Sequence, residues 1–165
     1  MDRKQRQSWR FSLKETQDYV SLPKEPRDGE PAWTLSHKGN PKHMQCLFAL
    51  RIKDTPFQPS GQKYDAKGLT DKQESYTAAL VLEDERIRSI DYNMVKRRYM
   101  FSDEIVREKA WHENIRYYSS ETAEIVNEHE TLGFEAFYPT DLQSFHLFCC
   151  NRWNIELAED ERRLL

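Results

Sequence analysis

The order of elements written in this chain predicts an α+β fold: a single domain with a mostly antiparallel sheet and C-terminal helices packed on one face. Three observations carry the prediction. Strand-like runs occupy the chain as far as Tyr118, with hairpin-type connections between them. Helix-periodic segments come last, and no β-α-β alternation appears. Strands segregated from helices in this way make an α+β domain rather than a parallel sheet. The 165 residues fit one domain, since domains commonly run about 100–150 residues.

Residues 1–7 read as a flexible polar arm. Ser8–Lys14 alternates large apolar with polar residues, which predicts a half-buried strand. Residues 21–32 carry Pro23, Pro26, Gly29 and Pro31 and read as loop. Trp33–Leu35 is a short strand and Lys38–Pro41 is turn material. Gln45–Lys53 has a nearly continuous apolar centre, as expected of a strand covered on both faces. The stretch 54–73 contains Pro56, Pro59, Gly61 and Gly68 and reads as one long loop, a length at which loops are usually functional or mobile. Tyr76–Glu83 and Arg86–Tyr92 form a hairpin turning at Asp84-Glu85. Trp111–Tyr118 is a further strand.

Two helices close the chain. Glu121–Glu130 has Ser119 or Ser120 as N-cap and acidic residues in its first turn. The second follows Pro139 and opens on Thr140-Asp141-Leu142-Gln143, a Thr-x-x-Gln capping box. In it Leu142, Phe145, Cys149 and Trp153 fall on one helical face, which is expected to pack on the sheet. Residues 158–165 form a polar tail.

Composition limits the function. A net charge of −3 with a pI near 6.0 excludes a bulk electrostatic nucleic-acid binder, so any such binding rests on a local patch. Cys46, Cys149 and Cys150 are an odd set without Cys-x-x-Cys spacing. They read as reduced, buried thiols of a cytoplasmic protein, not as a disulfide framework or zinc site. No run of about 18 apolar residues is present, so no membrane span is expected. Neither Gly-x-Gly-x-x-Gly nor a phosphate loop occurs, and no His-x-x-x-His pair supports a metal site. No cofactor and no metal are therefore expected.

The chemistry-bearing residues gather between Ser75 and Tyr118. His112 is the side chain best suited to move a proton near neutral pH. Asp91 would orient it, and Arg88 with Arg86 would hold phosphate. Arg88 and Asp91 point to opposite faces of a regular strand, so they act together only if the strand ends or bulges near Ile90. Lys96, Arg97, Arg98 and Tyr99 interleave cations with an aromatic ring, which suits single-stranded nucleic acid. The plainer alternatives are a strand-end histidine bonded to a carbonyl, rim salt bridges and a solvated charge run. Cys149 and Cys150 read as core, with His146 one helical turn before them.

From Tyr76 onward the chain resembles the small TumE-like toxins of prokaryotic toxin–antitoxin pairs. In that family a hairpin ends in an Arg-x-Asp-Asn-like segment, a His-rich element follows, and a helix closes the domain. Arg88, Asp91 and Asn93 would fill the first part, His112 the second and Thr140–Asn154 the closing helix. The resemblance spans residues 75–157. Tyr92 separates Asp91 from Asn93, and His112-Glu113-Asn114 replaces a His-x-His-type element. It implies a toxin-like or defence-associated protein acting on RNA, and His112 with Arg86 or Arg88 is the minimum set for metal-independent phosphodiester cleavage. The alternative expectation is a non-enzymatic module of immunity, antitoxin or adaptor type, binding a protein partner through the 54–73 loop and exposed aromatics.

Overall fold

In the computed structural model, residues 10–29, 31, 33–35, 43–69, 75–93, 111–132 and 142–157 are described. They form helix α1 (Leu13–Ser21), strands β1 (Lys24–Pro26), β2 (Thr34–Leu35), β3 (His43–Ile52), β4 (Lys63–Leu69), β5 (Ser75–Leu82), β6 (Glu85–Asn93), β7 (Trp111–Ser119) and β8 (Glu124–Thr131), and helix α2 (Leu142–Arg152). The sheet runs β1-β3-β4-β5-β6-β7-β8, with β2 also pairing β3. Every pairing of these strands is antiparallel. From β3 to β8 it is a meander in which each strand pairs with the next.

Five segments differ from the sequence reading. Within 21–32, read as loop, β1 pairs antiparallel with β3. Ser8–Lys14 is not a strand: residues 10–12 belong to no helix or strand, and α1 begins at Leu13. Ser12 accepts from the Glu15 N–H and the Glu15 carboxylate accepts from the Ser12 N–H, at 3.1 and 3.2 Å. This capping box fixes the helix start, and the alternation upstream concealed it. The stretch 54–73 is not one loop, because β4 runs through it, paired on both sides. Glu121–Glu130 is not a helix. Ala123 takes a positive φ of 54° in the turn, and β8 returns along β7 in full register. A single C-terminal helix, α2, is therefore described, in place of two. Last, the β5–β6 turn is Glu83-Asp84, one residue earlier than expected, with φ of 49° and 64°.

Register sorts the side chains into two faces, since paired residues point to the same side. Tyr64, Leu80, Arg88 and Ile115 make one row across the sheet, and Ala66, Ala78, Ile90 and Glu113 the next. These rows meet the helices. Phe145, Cys149 and Trp153 of α2 and its following turn are fully buried in one cluster with Tyr64, Leu80 and Ile90. Burying each large side chain contributes about 1.5–3 kcal/mol. Gly68 lets α2 approach, because a Cβ there would lie 2.5 Å from Leu142 Cδ1.

Polar bonds fix both helices on this face. Glu113 accepts from Arg152 Nε and Nη2 at 3.1 and 3.0 Å and from Trp153 Nε1 at 2.7 Å. Arg88 Nη1 donates to Thr16 Oγ1 of α1 at 3.3 Å. Lys24 donates to the carbonyls of Tyr19, Val20 and Leu22, closing the end of α1. Burial pulls its ammonium down to about 7. The backbone of Lys24 also bonds to Asn154 and Glu156, a parallel bridge at Ile155 that joins β1 to the segment after α2.

Candidate functional site

The opposite face of the sheet carries the polar residues. Its rows read Leu47, Asp65, Ala79, Ser89, Asn114 and His129, then Gln45, Lys67, Thr77, Asp91 and His112. Lys67, Thr77, Arg86 and His129 are exposed there. Antiparallel sheets commonly leave one face to solvent in this way.

His112, Asp91, Asn114, Ser89 and His129 form a compact group on three adjacent strands. His112 and Asp91 are direct cross-strand partners, with Nε2 3.8 Å from Oδ2. Asn114 Nδ2 donates to Asp91 Oδ2 and to Ser89 Oγ, both at 3.0 Å. His129 on β8 meets His112 edge-to-face, with ring centroids 5.6 Å apart and planes at 81°. The side chain of His112 is 32% exposed and that of Asp91 43%, so both reach solvent and can meet a ligand.

Beside this group lies a hollow of about 70 Å³ bounded by Asp65, Lys67, Thr77, Ala79, Arg86, Ser89 and Asp91. A β-bulge places Arg86 in it. Leu80 pairs with Arg88 and Val81 with Arg86, so Ile87 is the extra residue. One inserted residue moves everything beyond it to the other face. Arg86 therefore shares the open face with Asp91. Among the described residues its guanidinium has no ion-pair partner.

Arg88 is on the wrong side for the role read from sequence. It is 4% exposed, on the helix face, bonded to Thr16 and to the Ile87 carbonyl. Burial lowers its pKa. The sheet does not bring it to His112 and Asp91; the bulge supplies Arg86 instead. Lys96, Arg97, Arg98 and Tyr99 lie outside the described residues. Glu113, the neighbour of His112, faces the helices and is taken up by Arg152 and Trp153.

None of the three cysteines is in a disulfide, and all are buried. Burial pushes the Cys149 thiol well up. His146 Nδ1 bonds the Tyr64 hydroxyl at 2.8 Å, with Cys150 Sγ at 3.8 Å, and burial lowers its pKa to about 4. A ring held neutral beside buried thiols in the core is packing, not a nucleophile and its base.

Sequence reasoning missed His129 and Lys67; Asn114 follows from the strand reading of Trp111–Tyr118, which sets it on the same face as His112. His129 was hidden because 121–130 read as a helix, and Lys67 because 54–73 read as a loop. The signal was available in Ile125-Val126, a β-branched pair one short turn after a strand.

Among the described residues no group of three or more His, Cys, Asp and Glu is arranged to hold a metal ion, and no helix is long and apolar enough to cross a membrane. No family model, curated protein or solved structure matches this chain.

Proposed function

We propose that the open face of β4–β8 acts on single-stranded RNA, cleaving the phosphodiester by attack of the ribose 2′-hydroxyl. The observation that carries this reading is His112 set between Asp91 and His129 on an exposed face. One imidazole takes the proton of the 2′-hydroxyl. The 2′-oxygen then bonds to phosphorus, and the bond to the 5′-oxygen breaks. The second imidazole gives that leaving oxygen its proton, leaving a 2′,3′-cyclic phosphate and a 5′-hydroxyl. Asp91 orients His112, and Arg86 with Lys67 in the adjoining hollow holds the phosphate charge. A polar, solvent-facing sheet is a surface on which unpaired nucleotides can lie. The reading agrees with the role that the toxin resemblance implies.

The test is a cleavage assay on short single-stranded RNA with the product ends identified. His112→Ala and His129→Ala should each lower the rate by about 10²–10⁴-fold, the usual contribution of a general acid or base. Both should leave the melting temperature nearly unchanged, since neither ring is in the core. A cleavage rate indifferent to both substitutions would sink the proposal.

A second reading, a protein-binding module without catalysis, is favoured by Phe57 at 75% and Leu47 at 55% exposure. It predicts that Phe57→Ser and Leu47→Ser abolish partner capture and the cellular effect while His112→Ala does neither.

A further inference from the structure

Asn114 stands in the middle of the group, on β7 with His112, between β6, which carries Asp91, and β8, which carries His129. Its amide orientation is fixed by chemistry. Asp91, as a carboxylate, can only accept, so the atom 3.0 Å from Asp91 Oδ2 has to be the NH₂. The same nitrogen donates to Ser89 Oγ. Both amide hydrogens are therefore used toward β6, and the carbonyl oxygen is turned away from it. That oxygen, Oδ1, is buried and accepts no hydrogen bond among the described residues. A buried acceptor left unmade costs about 1–3 kcal/mol, so a surrounding donor that can reach it is drawn to it.

His129 is the direct cross-strand partner of Asn114 on β8. Directly opposed Cβ atoms lie about 4.5–5.5 Å apart, close enough for a ring N–H to reach the amide oxygen after a side-chain rotation. His129 is exposed, so its rotation disturbs no core packing. Its present edge-to-face contact with His112 keeps it on the same part of the surface.

We infer that Asn114 is a positioning residue that sets both histidines at once. Its NH₂ holds Asp91 against His112, and its Oδ1 receives the ring N–H of His129 in the working state. A histidine nitrogen that donates fixes the other nitrogen as the acceptor. One amide thereby leaves each ring with a defined free nitrogen. This role rests on the RNA-cleavage reading above, but its central observable is independent of cleavage.

The experiment is long-range ¹H–¹⁵N correlation spectroscopy of the imidazole nitrogens at a pH where the rings are neutral, alongside RNA cleavage. In the wild-type protein His129 should show one tautomer in clear excess. Asn114→Leu, similar in size but without polar atoms, should return His129 to a mixture of tautomers. It should also lower kcat by about 10–100-fold, the usual loss when an orienting partner is removed, with KM nearly unchanged. Asn114→Asp supplies an acceptor to His129 but repels Asp91, so it should restore the His129 tautomer without restoring the rate. Ser89→Ala removes the other bond of the amide and should leave the His129 spectrum as in wild type. A His129 tautomer ratio identical in wild type and Asn114→Leu overturns the inference. A protein that shows the spectral changes and cleaves no RNA refutes the RNA-cleavage reading and leaves the positioning role standing.

Discussion

His146 shows how much one buried side chain carries at the residue scale. It is 3% exposed, bonded to the Tyr64 hydroxyl and touched edge-on by Trp33 with centroids 5.3 Å apart. Burial holds its pKa at about 4 against 6.5 for a free ring. The unfolded chain therefore binds the extra proton between pH 6.5 and 4 while the folded chain refuses it. Stability is full above pH 6.5 and falls as pH drops through that window, by up to about 3 kcal/mol from this group. Urea unfolding between pH 7 and 4.5 should show the decline, and His146→Phe should flatten it. Lys24 does not confuse the measurement. Its lowered value of about 7 makes its own contribution rise with pH only between about 7 and 10.5. The sequence showed that His146 sits beside the core stripe of α2. It could not show which of the five histidines has its charge suppressed, because that depends on Tyr64 and Trp33 from distant parts of the chain.

At the scale of elements, the legible ones were those whose own pattern agrees with their surroundings. The β5–β6 hairpin, β3, β7 and the buried stripe of α2 follow directly from residue type and period. In β8, an acidic opening after two serines resembles a helix start, but the β7 edge offers backbone partners that override local preference. The site inherits this asymmetry. His112, Asp91 and Arg86 were named from their hairpin, whereas the bulge that turns Arg86 and not Arg88 to the open face leaves no local signature. Two element-scale results are expected. Phe145, fully buried, should cost about 3–5 kcal/mol on truncation to Ala, read as a shift in denaturant midpoint. Gly61 has a φ of 64°, and a Cβ there would lie 2.7 Å from the Asp84 amide nitrogen. Gly61→Ala should therefore destabilise by about 1–3 kcal/mol, and any gain in stability would contradict the placement of this turn.

For the whole molecule, the two faces of one sheet divide the labour. The helix face is closed by α1 and α2, with Glu113, Arg88 and Lys24 each bonded, and the open face holds the polar group and its hollow. A change on one face should leave the other intact. Glu113→Gln weakens the Arg152 pairing and should lower stability while leaving the chemistry at Asp91 and His112 in place.

The bridge between Lys24 and Ile155 has a consequence for the order in which the molecule assembles. The strands from β3 to β8 pair with sequence neighbours, so their contacts span less of the chain than the bridge does and close earlier. The bridge joins the two ends of the described chain and cannot form until the meander between them is nearly complete. It is a latch set last and released first. Ile155, 3% exposed, should then behave as a late residue: Ile155→Ala should speed unfolding by about tenfold or more and leave the refolding rate almost unmoved. Ile90→Ala, in the middle of the meander, should slow refolding instead. Stopped-flow chevrons of the two variants would separate these cases, and a folding arm that slows for Ile155→Ala would place the latch in the nucleus.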